Sequence, residues 1–206
     1  MSFQFDKMNN TIILDVLREI GNIGAGNAAT SLAKMIDKKI DMKVPVVKLL
    51  DFEQVPELLG GPENVVCGIF FKIEGDMTGS IMFVLDQKSA SNLVNLLMPR
   101  DVAEFDEFTI SALKEIGNIL AGSYIASLSG LTNLKIKISI PAIAIDMAGA
   151  ILSVPAIHFG QLSDNVLIIQ NEFIEVLEAK SVDGYFFLIP DLDSYEVLLG
   201  SLGVTL

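Results

Sequence analysis

The run LREIGNIGAG at residues 17–26 returns as LKEIGNILAG at residues 113–122, identical at eight of ten positions. The displacement is 96 residues, and it holds without a gap through Ser31 and Ser127, Leu32 and Leu128, Lys39 and Lys135, Ile40 and Ile136, and Pro45 and Pro141. Further along it becomes 105 residues, aligning Gly79 with Gly184, Asp86 with Asp191, Ser89 with Ser194 and Leu93 with Leu198. Self-similarity at a fixed spacing marks a duplicated architecture. The 206 residues therefore read as a single domain built of two internal repeats, about 10–100 and 101–206, whose matching apolar faces pack as one pseudo-two-fold body.

Each repeat opens with a helical period. Ile13, Val16, Leu17, Ile20 and Ile23 recur on one side, while Asp15, Glu19, Asn22 and Gly26 fall within about 60° of one another on the other. In the second copy Ile110, Leu113, Ile116 and Leu120 face inward, and Ser111, Glu115, Asn118 and Gly122 form the equivalent polar stripe. Gly21 and Gly117 lie on the inward side, where a missing Cβ permits close approach of another element. The period then shortens. Residues 39–49 and 135–145 are rich in Ile and Val with a Pro inside, predicting strands at a sheet edge or with a bulge at Pro45 and Pro141. A hairpin is expected over 65–73 and 79–85, with counterparts at 166–170 and 184–189, followed by helices at 89–97 and 194–202. The fold class expected is α/β of the α+β type: a mostly antiparallel sheet packed with helices, the two long motif-bearing helices at the surface.

Charge narrows the function. Lys plus Arg number 14 against 26 Asp plus Glu, a formal charge of −12 that repels a phosphate backbone and anionic lipid. Nucleic acid is therefore excluded as a partner. Mean hydropathy is high at +0.53, yet the most apolar window, 140–159, is broken by Pro141 and Pro155 and lacks the flanking Lys and Arg that orient a membrane helix. A buried strand and a short helix are expected there, with no membrane insertion. Residues 1–10 carry no apolar signal run, which predicts a cytoplasmic location, and the single Cys67 in an apolar run reads as core.

The polar stripe is the strongest chemical feature. It reads acid or Ser, three residues, Glu, two residues, Asn, then 22 residues to a Pro, and it occurs twice. A solvated helix face accounts for one copy. A merely solvated face has no need of a carboxamide at Asn22 and again at Asn118, because Lys, Gln or Glu are better helix formers. Glu and Asn at i and i+3 share one patch, where a carboxylate pairs with a partner's Lys and a carboxamide both donates to and accepts from one water. That combination suits orienting a hydrolytic water.

Other chemistries fit poorly. The sole His158 lies in an apolar stretch, so no Ser and His triad is available. No Cys and His cluster offers a metal site. Gly24, Gly26 and Ala29 spell GxGxxA, but the preceding segment has helical period and the second copy puts Leu120 at the first glycine, so helix packing explains them better. Glu19 and Glu115 could flank a glycosidic bond, though the chain has no Trp to form a sugar platform.

These residues resemble the motif of the CheC, CheX and FliY family of chemotaxis phosphatases, over nearly the whole chain. The family pattern is matched by Asp15, Glu19, Asn22 and Pro45, and again by Ser111, Glu115, Asn118 and Pro141. Two intact copies, unlike the single motif of CheX, and no appended switch domain, unlike FliY, look like the CheC members. The resemblance implies hydrolysis of the phospho-aspartate on the response regulator CheY, ending its signal to the flagellar motor. It implies Glu19, Asn22, Glu115 and Asn118 as catalytic residues, with Asp15, Pro45, Ser111 and Pro141 in support. The family needs no cofactor of its own, the Mg²⁺ being carried by the regulator. It also implies a second partner, the receptor deamidase CheD. The stretch 146–151, which breaks the repeat, reads as a short helix with Asp146 its exposed contact. The alternative function is a non-catalytic module that docks and sequesters a phosphorylated regulator or CheD.

Overall fold

The computed structural model describes residues 11–43, 46–51, 54–97, 105–159, 165–175 and 180–203. In chain order these form α1 (Thr11–Ile36), β1 (Ile40–Met42), β2 (Val46–Asp51), α2 (Val55–Leu58), β3 (Val65–Gly75), β4 (Gly79–Asp86) and α3 (Gln87–Leu97). There follow α4 (Glu107–Thr132), β5 (Ile136–Ile138), β6 (Ala142–Met147), α5 (Ala148–Phe159), β7 (Asn165–Glu175), β8 (Lys180–Pro190) and α6 (Leu192–Ser201). The order helix, two strands, helix, two strands, helix is thus run through twice.

The eight strands make one sheet in the order β1-β7-β8-β4-β3-β5, with β2 also on β7 and β6 also on β3. Every ladder among the described strands is antiparallel. Its centre is the β4–β8 pair, where Gly79 faces Pro190, Leu85 faces Gly184 and Met82 faces Phe187. With Gly79 matched to Gly184 by the 105-residue displacement, the first two pairs exchange under a two-fold axis and the third lies on it. The strands that follow each long helix cross over: β1 and β2 pair with β7, while β5 and β6 pair with β3. Each half therefore completes the other's sheet.

Side chains alternate between two cores. Cys67, Ile69, Phe71, Phe83 and Phe186 point to the layer of α1, α3, α4 and α6. Val66, Met82, Val84, Phe187 and Ile189 point to the opposite layer, which includes Val55 of α2 and Ile151 and Leu152 of α5. Burial of Cys67 pushes its thiol up to about 12, which keeps it protonated and chemically quiet.

The two long helices begin and end for local reasons. Asp106 caps α4, its carboxylate accepting from the Thr109 amide and hydroxyl at 2.8 Å each. Asp37 and Asn133, 96 residues apart, both take positive φ (51° and 56°) just past the ends of α1 and α4, a conformation that short polar side chains tolerate. Ile20, Leu113, Ile116 and Leu120 are buried as the helical period requires; the side chains of Ile13 and Leu17 lie outside the described residues. Gly117 rests on Ile69 of β3, whose side chain would stand 3.0 Å from an added Cβ. Gly24 is covered by the Tyr124 ring, 2.5 Å from where a Cβ would sit, and that ring stacks on Phe186. The first glycine of the GxGxxA run, Gly24, thus serves helix packing.

The edge strands carry the bulge that their prolines predict. Ile138 pairs with Ile73 and Ala142 with Phe70, so three residues, 139–141, stand opposite two, 71–72. The same excess of one lies between the Met42–Phe173 and Val46–Gln170 pairs. Pro45 itself lies outside the described residues. One expectation is corrected. Asp146 does not open a helix; it lies in β6, paired with Val66, the strand runs on to Met147, and α5 starts at Ala148 and runs to Phe159. The ladder to β3 occupies the backbone through Met147, so a helix can begin only beyond it.

Because Tyr124 is fully buried, Gly24→Ala should destabilise the protein by about 1–2 kcal/mol in denaturant unfolding, outweighing the helix preference of Ala. Gly26→Ala, where nothing lies within 4 Å, should stabilise it by about 0.5–1 kcal/mol. Equal effects would contradict the Tyr124 contact.

Candidate functional site

Helices α1 and α4 run in opposite directions across the same face of the sheet and pack on each other. Asn27 Nδ2 donates to Ser127 Oγ at 2.8 Å, and Ser123 Oγ donates to Ser31 Oγ at 2.8 Å. With Asn27 matched to Ser123 and Ser31 to Ser127, the two bonds are related by the pseudo-two-fold. They floor a polar cleft of about 360 Å³ lined also by Thr30 and Lys34. These helix-joining residues carry no motif, and only the recurrence of Ser31 as Ser127 hinted at them.

The motif stripes point elsewhere. On a helical projection Asn27 and Ser31 lie about 120° round from Glu19 and Asn22, so each stripe faces outward from the helix pair. The structure therefore builds two separate patches. Glu19 and Glu115 do not converge, which removes a glycosidase-like carboxylate pair. Glu19, Asp15, Ser111, Glu115, Asn118 and Asp146 are exposed, and Asn22 and Pro141 are half-buried. Asp15 accepts from Arg18 at 2.9 Å, and the Ser111 hydroxyl donates to the Glu107 carbonyl at 2.8 Å. Both side chains are thus tied to their own helices. Glu115 and Asn118 stand one turn apart on α4, whose opposite side is locked by Leu113, Ile116 and Leu120. Among the described residues no group of three or more His, Cys, Asp and Glu could hold a metal ion, and no helix is long and apolar enough to cross a membrane.

Residues 12–49 match the CheC-like family, and residues 66–159 match the chemotaxis phosphatase CheX family. The chain is 37% identical over 199 residues to the CheY-P phosphatase CheC of Bacillus subtilis (strain 168), covering 94% of this chain and 95% of that protein. The chain belongs to the CheC-like family. The flagellar motor switch phosphatase FliY of Bacillus subtilis (strain 168) is 31% identical over 133 residues, 63% of this chain and 34% of that protein. The crystal structure of Thermotoga maritima FliY superposes with a TM-score of 0.72 at 26% identity, covering 91% of this chain and 96% of that one.

The two patches of this CheC-like chain are not equivalent. Asn118 is exposed, whereas Asn22 is half-buried and its Oδ1 is shut off from solvent with no hydrogen-bond partner. An unpaired buried acceptor forfeits its hydration without compensation. The second patch thus presents its carboxamide ready for contact, and the first must turn its side chain outward to do so. Neither motif spacing nor helical period reveals this difference. Asn22→Ala should leave the protein about 1 kcal/mol more stable than Asn118→Ala, since both gain helix preference but only the former removes a desolvated oxygen. Matched urea unfolding curves check this, and a loss of stability in Asn22→Ala would contradict the unpaired state.

Proposed function

We propose that this protein hydrolyses the phospho-aspartate of the response regulator CheY and so ends its signal to the flagellar motor. The observation that carries the reading is the twice-built pair of Glu and Asn, one turn apart on helices whose opposite faces are fixed in the core, with Glu19, Glu115 and Asn118 exposed and Asn22 half-buried. The similarity to the CheY-P phosphatase CheC along almost the whole chain supports it.

The chemistry needs little from the enzyme beyond placement. A water oxygen attacks phosphorus, the bond from phosphorus to the aspartyl oxygen breaks, and inorganic phosphate and the free carboxylate result. Nothing is transferred to this chain, so neither a nucleophile nor a His base is required. Asn118 or Asn22 reaches the regulator's acidic site, donating to and accepting from the attacking water so that it lies in line. Glu115 or Glu19 pairs with a regulator Lys and holds the dock. The Mg²⁺ belongs to the regulator. Phosphoryl transfer is accelerated chiefly by positioning and charge stabilisation, which a rigid helix supplies well. Asp15 and Ser111 shape the helical turn before the pair, and Pro141 closes the second motif at the edge-strand bulge.

At substoichiometric concentration the protein should release phosphate from phosphorylated CheY over many turnovers, and the Asn22→Ala, Asn118→Ala double variant should lose about 10²-fold or more. Asn118→Ala alone should cost more than Asn22→Ala alone. Stoichiometric protection of the phosphoryl group, unchanged in the double variant, would instead mean a docking and sequestering module.

We also assign binding of the deamidase CheD to the end of β6 and the start of α5, where Asp146 and Met147 are both exposed. A charged residue beside an apolar one gives such a contact both register and buried area. Asp146→Lys should weaken CheD binding about tenfold in a titration while the melting curve stays in place. Unaltered affinity would remove Asp146 from that interface.

A further inference from the structure

Ile140 is 89% exposed, more than any other large hydrophobic side chain among the described residues. It sits in the bulge between β5 and β6, and the bulge is pinned. Ser139 donates its amide to the Lys72 carbonyl at 3.0 Å, and its Oγ accepts from the Lys72 amide at 3.0 Å and donates to the Ile140 carbonyl at 2.9 Å. Pro141 follows, restricting Ile140 to extended backbone. A bulge of this kind re-aims one side chain away from the sheet. The chain thus holds a β-branched apolar side chain out in water on a rigid mount.

Its place is informative. Ile140 immediately precedes Pro141, the last member of the second motif, and β5 and β6 pack along α4, which carries Glu115 and Asn118. On α4 itself Phe108, 46% exposed, lies on the same side as Ser111 and Glu115. The first repeat keeps apolar residues at both equivalent positions, Ile12 and Val44, although neighbouring core positions have diverged to pairs such as Ala28 and Tyr124. A polar patch flanked by apolar contacts at constant offsets is the layout of a docking surface, where desolvated apolar anchors supply binding and polar groups supply register.

We propose that Ile140 is an apolar anchor for the phosphorylated regulator at the second motif helix, inserting beside the Lys that Glu115 pairs with and setting affinity without touching the reacting atoms. This rests on the hydrolytic reading above. The regulator surface it fits is an apolar depression next to that Lys.

The test uses the full chain carrying Asn22→Ala, so that turnover passes through α4. Ile140→Asp should raise KM for phosphorylated CheY about tenfold with kcat unchanged, Ile140→Ala should give a smaller rise, and Ile140→Leu should restore the parent value. Val197→Asp, at an exposed side chain of α6, serves as the distant apolar control and should change neither constant. A KM equal to the parent in Ile140→Asp, a loss confined to kcat, or an inactive Asn22→Ala parent beside an active unaltered chain would each overturn the anchor. Should the unaltered chain show no turnover at all, the hydrolytic reading falls by itself. Titration with beryllofluoride-loaded CheY then decides the anchor separately, weaker binding of Ile140→Asp supporting it and equal binding overturning it.

Discussion

The contact between α1 and α4 is the constraint on which the rest of the structure depends. Two 26-residue helices lie side by side on one face of the sheet, and neither can rotate without breaking something buried. The Tyr124 ring fills the space left by Gly24 and stacks on Phe186 beneath, while Gly117 brings α4 down onto Ile69. The paired hydrogen bonds of Asn27 with Ser127 and of Ser31 with Ser123 fix the remaining degree of freedom, sliding along the common axis. With core on one side and a partner helix on another, only one sector of each helix remains free, and the motif residues occupy it.

That arrangement matches a catalyst that works by placement. A side chain orienting a water must be held to within a fraction of an ångström, and helices supported by packing do this better than loops. The strand crossover adds to the rigidity. Each motif begins on a long helix, and the strands that follow that helix pair with a strand of the other half, so both motif helices are anchored by both halves. The exposed groups themselves make little demand on stability. Asp15 and Ser111 are satisfied on their own helices, and the structural load falls on glycines and core residues that take no part in chemistry.

Much of this was legible beforehand. Helical period located both long helices, Ile and Val runs bounded by Gly located the β3–β4 hairpin, and a Pro inside an apolar strand foretold an edge with a bulge, because Pro lacks the amide a central strand must donate. The start of α5 was misplaced at Asp146 because a run of small and apolar residues has no period that separates strand end from helix start; the β3 ladder decided it. The burial of the Asn22 oxygen was equally hidden, since the two motif copies are spelled alike and differ only in what packs around them.

The sequence by itself determined the duplication, the elements and the residue types on each polar stripe, because period and turn chemistry are local properties that ten or twenty residues suffice to set. Only the tertiary structure decided which strands exchange between halves, that the two stripes face apart as separate patches, that Asn118 is presented while Asn22 is half withdrawn, and that Ile140 stands out in water. Those outcomes depend on contacts between residues far apart in the chain, such as Tyr124 with Gly24 and Ser139 with Lys72. No local pattern encodes them.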